Sequence, residues 1–188
     1  MAAAAPPAYT ASARPAGARG RQVALAIEQV LAALEAEKVR YLVVGGVAVV
    51  LHGHLRTTAD LDLVVGLAPD NARRAIAALG TLGFRPRAPV AAELFADEDA
   101  RRSWIEEKGL TVFSLWSDRI VDIEVDLFVT EPFDFEAVYA RALRVPLDTT
   151  TATVVALEDL IELKRASGRP IDLDDVEALR ALPVREDR

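Results

Sequence analysis

Residues 60–65 read Asp60, Leu61, Asp62, Leu63, Val64 and Val65. Side chains on a strand alternate between two faces, so the leucines turn to a core and both carboxylates to the opposite side. Aspartate is disfavoured in strands. Two acids opening an otherwise apolar strand run against that preference, and they repel each other across ~7 Å of backbone. A divalent cation such as Mg²⁺, which takes oxygen ligands, would relieve the repulsion. The plainer alternative is a solvated strand face. Just upstream, residues 41–44 form a short apolar strand, Gly45-Gly46 stops it, and 47–51 reads as the first turns of a helix. Glycines let the backbone approach a phosphate, and N–H groups at a helix start attract anions. A tight turn needing positive φ would use the same pair. Neither Gly-x-x-x-x-Gly-Lys-Ser/Thr nor Gly-x-Gly-x-x-Gly occurs, so the two commoner phosphate loops are excluded.

Around this stretch the chain divides into three. Residues 1–20 are rich in Ala, Pro, Gly and Arg and poor in large apolar side chains, the composition of a disordered tail. Residues 21–156 form the core, and 157–188 a C-terminal helical element. Val23, Ile27, Val30, Leu31 and Leu34 recur at helical spacing, which predicts a helix over 21–38. Helices are also predicted over 69–82, 91–108, 133–143, 157–166 and 172–182. Strands are predicted over 110–116, 120–129 and 150–156, the first two as a hairpin turning at Ser117-Asp118. Pro86 and Pro89 confine 84–90 to loop or a short edge strand. The expected fold is α/β (α+β): a small mixed sheet with flanking helices.

Composition narrows the chemistry. The 188 residues include no cysteine and two histidines, so a metal would rest on oxygen or on His52 and His54. A histidine pair in a loop without cysteine is a poor zinc site; the simpler role for His52 is packing or hydrogen bonding at a helix end. The net charge of −7 argues against a protein that coats nucleic acid, which needs Lys and Arg to neutralise phosphates. It suits a small or metal-masked anionic substrate. No apolar run is long enough to cross a bilayer, and the N-terminus lacks the pattern of a secretion signal, so the expected location is cytoplasmic.

A second acidic set follows. Asp122, Glu124 and Asp126 alternate with Ile123, Val125 and Leu127, and one of the three is available as a further carboxylate for the same cation. Lys164-Arg165 near the end of the 157–166 helix reads either as a functional cation or as a solvated charge facing the helix dipole. Trp104 and Trp116 read as core or interface residues.

Taken in order, 42–48 with His52-Gly53, then Arg56-Thr57-Thr58-Ala59-Asp60-Leu61-Asp62, then Val125-Asp126, and finally 160–175, this arrangement resembles the nucleotidyltransferase superfamily with a DNA polymerase β-like core. It is closest in pattern to the small bacterial proteins related to the AbiEii toxins. The resemblance spans about residues 43–182. It implies the nucleotidyltransferase fold and a Mg²⁺ or Mn²⁺ cofactor held by Asp60, Asp62 and Asp126, with Asp126 helping to deprotonate the attacking hydroxyl. Gly45 and Gly46 would hold a triphosphate, although many members of the superfamily have Gly-Ser there. Arg56 and Thr57 or Thr58 would line the nucleotide pocket, and Lys164 would reach a phosphate, with Asp172 and Asp175 orienting it or Arg169. The implied reaction transfers a nucleoside monophosphate from a nucleoside triphosphate to an acceptor hydroxyl. A tRNA end or a protein is the acceptor expected of a toxin with an antitoxin partner, and an antibiotic-like small molecule is the alternative. A non-catalytic nucleotide- or partner-binding module of the same fold is the remaining reading.

Overall fold

The computed structural model describes residues 16–182. The first helix, α1 (Ala16–Ala36), starts earlier than expected and runs through the last residues assigned to the tail; residues 1–15 lie outside the described residues. Then come β1 (Tyr41–Val43), α2 (Gly45–His52), β2 (Asp60–Val65) and α3 (Pro69–Thr81). They are followed by β3 (Arg85–Pro86), a 3-10 turn (Ala92–Ala96), α4 (Glu98–Lys108), β4 (Val112–Trp116) and β5 (Glu124–Phe128). The chain continues with α5 (Phe135–Ala140), β6 (Leu143–Pro146), β7 (Thr151–Val154), α6 (Leu157–Ser167) and α7 (Pro170–Arg180). No helix among the described residues is long and apolar enough to cross a membrane.

The strands form one seven-stranded mixed sheet in the order β3-β4-β5-β2-β1-β7-β6. β2 lies antiparallel to β1 and parallel to β5, with Leu61 beside Val125 and Leu63 beside Leu127. Those four side chains are fully buried. At roughly 1.5–3 kcal/mol each, they fix the register strongly, because a one-residue slip would expose all of one strand's apolar set. Phe113, on the same side of β4, stacks against Trp104 at 5.0 Å and Phe95 at 5.6 Å, which seats α4 and the 3-10 turn over this face. Trp104 is therefore a core residue.

Several boundaries differ from the sequence expectation for local reasons. Asp97 caps α4 by accepting the Ala100 N–H at 2.8 Å, and this splits the continuous helix expected over 91–108. The expected strand over 120–129 begins only at Glu124, because 118–122 is turn and bend. Asp122 therefore lies outside the strand face that its spacing predicts. The helix expected over 133–143 stops at Ala140, and 143–146 instead becomes edge strand β6, antiparallel to β7. At the C-terminus, α7 begins at Pro170, the first-turn position where a missing N–H costs nothing.

Candidate active site

The parallel register between β2 and β5 sets Asp60 beside Glu124 and Asp62 beside Asp126. On the far side of β5, Ser114 of β4 lies opposite Asp126. Leu61, Leu63, Val125 and Leu127 enter the core, and these polar side chains share the opposite face. Asp62 and Asp126 are both half-buried, whereas Asp60 is exposed at the strand's start.

The Asp62 carboxyl is pushed up to about 6 by burial first, then by the negative charges of Asp126 and Asp60. The Gly46 N–H and the charge of Arg169 act against the rise. Asp126 is also raised, chiefly by burial, with Asp60 and Glu124 adding to it and a hydrogen bond from Ser114 opposing it. The upward shift at Asp62 represents about 3 kcal/mol of unfavourable charge, which the buried leucines and valines of the same two strands outweigh. Asp126 Oδ1 is fully buried and has no hydrogen-bond partner. An orphaned carboxylate oxygen beside a second, crowded carboxylate matches an all-oxygen donor set for Mg²⁺ or Mn²⁺. No three acidic or histidine side chains already converge on one point among the described residues. The fit therefore rests on the donor chemistry of Asp60, Asp62 and Asp126 and on that orphaned atom.

The glycine pair is built against these acids. α2 starts at Gly45, two residues earlier than the sequence pattern suggests; its N-cap, Val44, offers no side-chain cap, and the Gly46 N–H turns to the Asp62 carboxyl. The Val44 N–H donates to the Asp62 carbonyl at 3.0 Å, which ties the turn to β2. Gly45 has φ +62°, and a Cβ there would lie 1.9 Å from Asp62 Oδ2. A Cβ on Gly46 would lie 2.7 Å from Thr58 Oγ1 and 3.3 Å from Arg56 Cζ. Both glycines are thus required by close approach, and the first turn of α2 opens beside the acid cluster.

A Gly45→Ala chain is expected to lose about 2–4 kcal/mol, from left-handed strain plus the collision with Asp62. Gly80, inside α3, has open space where a Cβ would project, with nothing within 4 Å. Gly80→Ala is expected to gain about 0.5–1 kcal/mol. Urea unfolding of both variants checks the pair; equal midpoints would remove the argument that Gly45 is fixed by the carboxylate above it.

Arg56, Thr57 and Thr58 come from the loop between α2 and β2. Thr58 Oγ1 donates to the Asp60 carbonyl at 3.3 Å, Thr57 is exposed, and Arg56 donates to the Asp175 carboxylate of α7. Lys164 does not lie on a solvated helix end. Its side chain is 4% exposed, and Nζ donates to Asp172 Oδ1 at 2.9 Å and Asp175 Oδ2 at 2.7 Å. Burial would raise Asp172, but hydrogen bonds from Arg169, Lys164 and Ser167 hold its carboxyl at about 2. His52 Nε2 meets the Val155 carbonyl at 2.9 Å, a structural contact at the end of α2.

Two further cations lie near the acids: Arg87, which carries no signal in the sequence, and Arg169, which the resemblance names only as a residue that Asp172 and Asp175 would orient. Arg87 pairs with Glu124 through both carboxylate oxygens, its Nε at 2.6 Å from Oε2, and its charge reaches Asp126. Arg169 is held by Asp172, and its charge reaches Asp62. Only tertiary pairing reveals the part either one plays. Glu124 is taken up by Arg87 and Asp122 sits in the turn, so Asp126 is the member of its acidic run that faces Asp62. A separate cleft of about 540 Å³ opens at the other end of the sheet, lined by Arg40, Asn71, Arg74 and Phe135 among others, away from these groups.

Comparison with known proteins agrees with this architecture. Residues 22–182 match the family model described as Nucleotidyltransferase of unknown function (DUF6036). No functionally curated protein matches the sequence. Among solved structures, the fold superposes on the lincosamide antibiotic adenylyltransferase LnuA, lincomycin-bound, with a TM-score of 0.57 at 14% identity, covering 85% of this chain and 97% of that one. It also superposes on ANT(2")-Ia in complex with adenylyl-2"-tobramycin, at 0.52 and 17% identity, over 85% and 87% of the two chains. A Thermotoga maritima protein described as a nucleotidyltransferase gives 0.51 at 16% identity, over 92% and 96%. At these identities the superpositions establish the fold alone.

Proposed function

The chain belongs to the DUF6036 family of nucleotidyltransferases, and on that premise we propose that it transfers a nucleoside monophosphate from a nucleoside triphosphate to an acceptor hydroxyl. The observation that carries this reading is the register pairing of Asp62 with Asp126 beside the start of α2. A Mg²⁺ or Mn²⁺ ion on Asp60, Asp62 and Asp126 would supply Lewis-acid stabilisation of the attacking and leaving oxygens.

The protein's own groups do the rest. Gly45 and Gly46 let the phosphate chain approach the backbone, and the first N–H groups of α2 face its negative charge. Thr57, Thr58 and Arg56 line the nucleotide side of the cradle. The Asp126 carboxylate accepts the proton of the acceptor hydroxyl. That hydroxyl oxygen attacks the α-phosphorus, the bond from the α-phosphorus to the bridging oxygen of the β-phosphate breaks, and pyrophosphate leaves.

Two acceptor classes remain for this chemistry. The resemblance to AbiEii-like proteins points to an RNA end or a protein, with toxin action in the cytoplasm and an antitoxin partner. The lincosamide and tobramycin enzymes of the same fold point to a small hydroxylated molecule. The deciding experiment incubates the protein with each labelled nucleoside triphosphate, Mg²⁺ or Mn²⁺, and total RNA, mixed protein or a panel of antibiotics. Label is expected in one acceptor class, with at least about 100-fold less for Asp60→Ala. No transfer to any acceptor, or equal transfer by Asp60→Ala, would end the proposal.

A further inference from the structure

Lys164 is the cation that the sequence pattern assigns to the phosphates, yet its position is hard to reconcile with that task. Its ammonium gives charge-assisted hydrogen bonds to two carboxylates whose side chains are 2% and 5% exposed. Moving it to a substrate would take their common cation from two buried acids and leave each with an arginine alone, a costly change in a buried site. The network it belongs to ends elsewhere. Asp175 receives Lys164 on Oδ2 and also receives Arg56, whose guanidinium abuts Gly46. Asp172 receives Lys164 on Oδ1, and on Oδ2 it receives Ser167 at 2.7 Å and Arg169 Nε at 2.6 Å.

The two ends of the network are therefore arginines, one at Gly46 and one at the entry to α7. The Arg169 side chain is 70% exposed, and no hydrogen bond among the described residues engages its Nη atoms. Its charge also lies close enough to Asp62 to act on it. A planar guanidinium fixed at Nε with its outer edge free is the geometry for bidentate recognition of a phosphate.

We propose that Arg169 is the cation that meets the triphosphate, and that Lys164 is a positioning residue which stays on its carboxylates and aims Arg169 through Asp172. This rests on the nucleotidyltransferase reading but assigns a different residue to the phosphate.

The test is calorimetric titration of the full chain with inorganic tripolyphosphate and Mg²⁺, a probe that needs no knowledge of the base or the acceptor. At a temperature where circular dichroism shows the variant folded, Arg169→Gln is expected to weaken binding about tenfold or more, and Arg169→Lys to restore part of the loss. Lys164→Met, at a temperature where circular dichroism shows it folded, is expected to weaken binding by no more than Arg169→Gln does; a larger loss would put Lys164 itself on the phosphate and overturn the assignment. Native binding that Arg169→Gln leaves intact overturns the assignment alone, whether or not Lys164→Met folds. A native chain that fails to bind Mg²⁺-tripolyphosphate overturns the nucleotidyltransferase reading with it.

Discussion

Asp62→Asn is expected to lower nucleotide transfer by about 10³-fold or more while making the metal-free protein harder to unfold. The first effect follows from removing one of the two carboxylates that face each other across β2 and β5. The second follows from the charge. Burial, Asp126 and Asp60 place the folded Asp62 at about 6, above its ordinary value of 3.8. Between those limits the folded chain binds more protons than the unfolded one, so this group's contribution to stability falls as pH rises and the penalty is complete above about pH 6. Asn carries no such penalty. A gain in melting temperature of roughly 6–12 °C is expected near pH 7.5, about a third of it near pH 4.5 and close to none below about pH 3.5. Adding Mg²⁺ should raise the native melting temperature more at the higher pH and leave Asp62→Asn nearly unmoved. A variant that melts lower than the native chain at both pH values would refute the picture of two crowded carboxylates.

Lys164→Met carries the largest expected loss of stability. It leaves Asp172 and Asp175 buried without their common cation, and breaking a buried pair in this way costs about 3–5 kcal/mol. For a chain of this size that corresponds to roughly 6–20 °C in melting temperature. The pH dependence separates this from a simple packing defect. In the native chain Asp172 is held at about 2, below its ordinary value of 3.8, so its contribution is present above the ordinary value and is lost as pH falls toward 2. In Lys164→Met, Asp172 loses one of the cations that hold its carboxyl down, and mild acid should recover part of the deficit. Melting curves of the two chains at a series of pH values decide it. A deficit that stays constant down to about pH 4 would mean that Lys164 acts through its methylene stem and not its charge.

The acid strand, its hairpin neighbour and the two C-terminal helices are legible in the sequence because their cause is local. Apolar side chains at period two in β2 and β5, and at helical period in α1 and α3, state the fold with no distant partner. β6 is not legible. Its four residues end in Pro146, are mostly exposed and exist as a strand only through pairing with β7. The same division runs through the site. Asp60, Asp62 and the glycine pair announce themselves by occurring where propensity disfavours them. The burial of Lys164, the loss of Glu124 to Arg87 and the approach of Arg169 to Asp62 arise from contacts between remote segments. No periodicity encodes them. Asp122 is the instructive case: its spacing matches the strand face, but the turn at 118–122 takes it off the strand before that spacing can count.

The bond between Arg56 and Asp175 joins positions 119 residues apart. During synthesis at about 5–20 residues per second, roughly 6–24 s pass after Arg56 is made before its partner exists. For that interval the glycine turn and both acidic strands can be present while the arginine beside them is unanchored. A prematurely terminated chain lacking α7 would carry every carboxylate of the cluster and still lack the anchor. The far helix thus makes completion of the cradle depend on synthesis of α7.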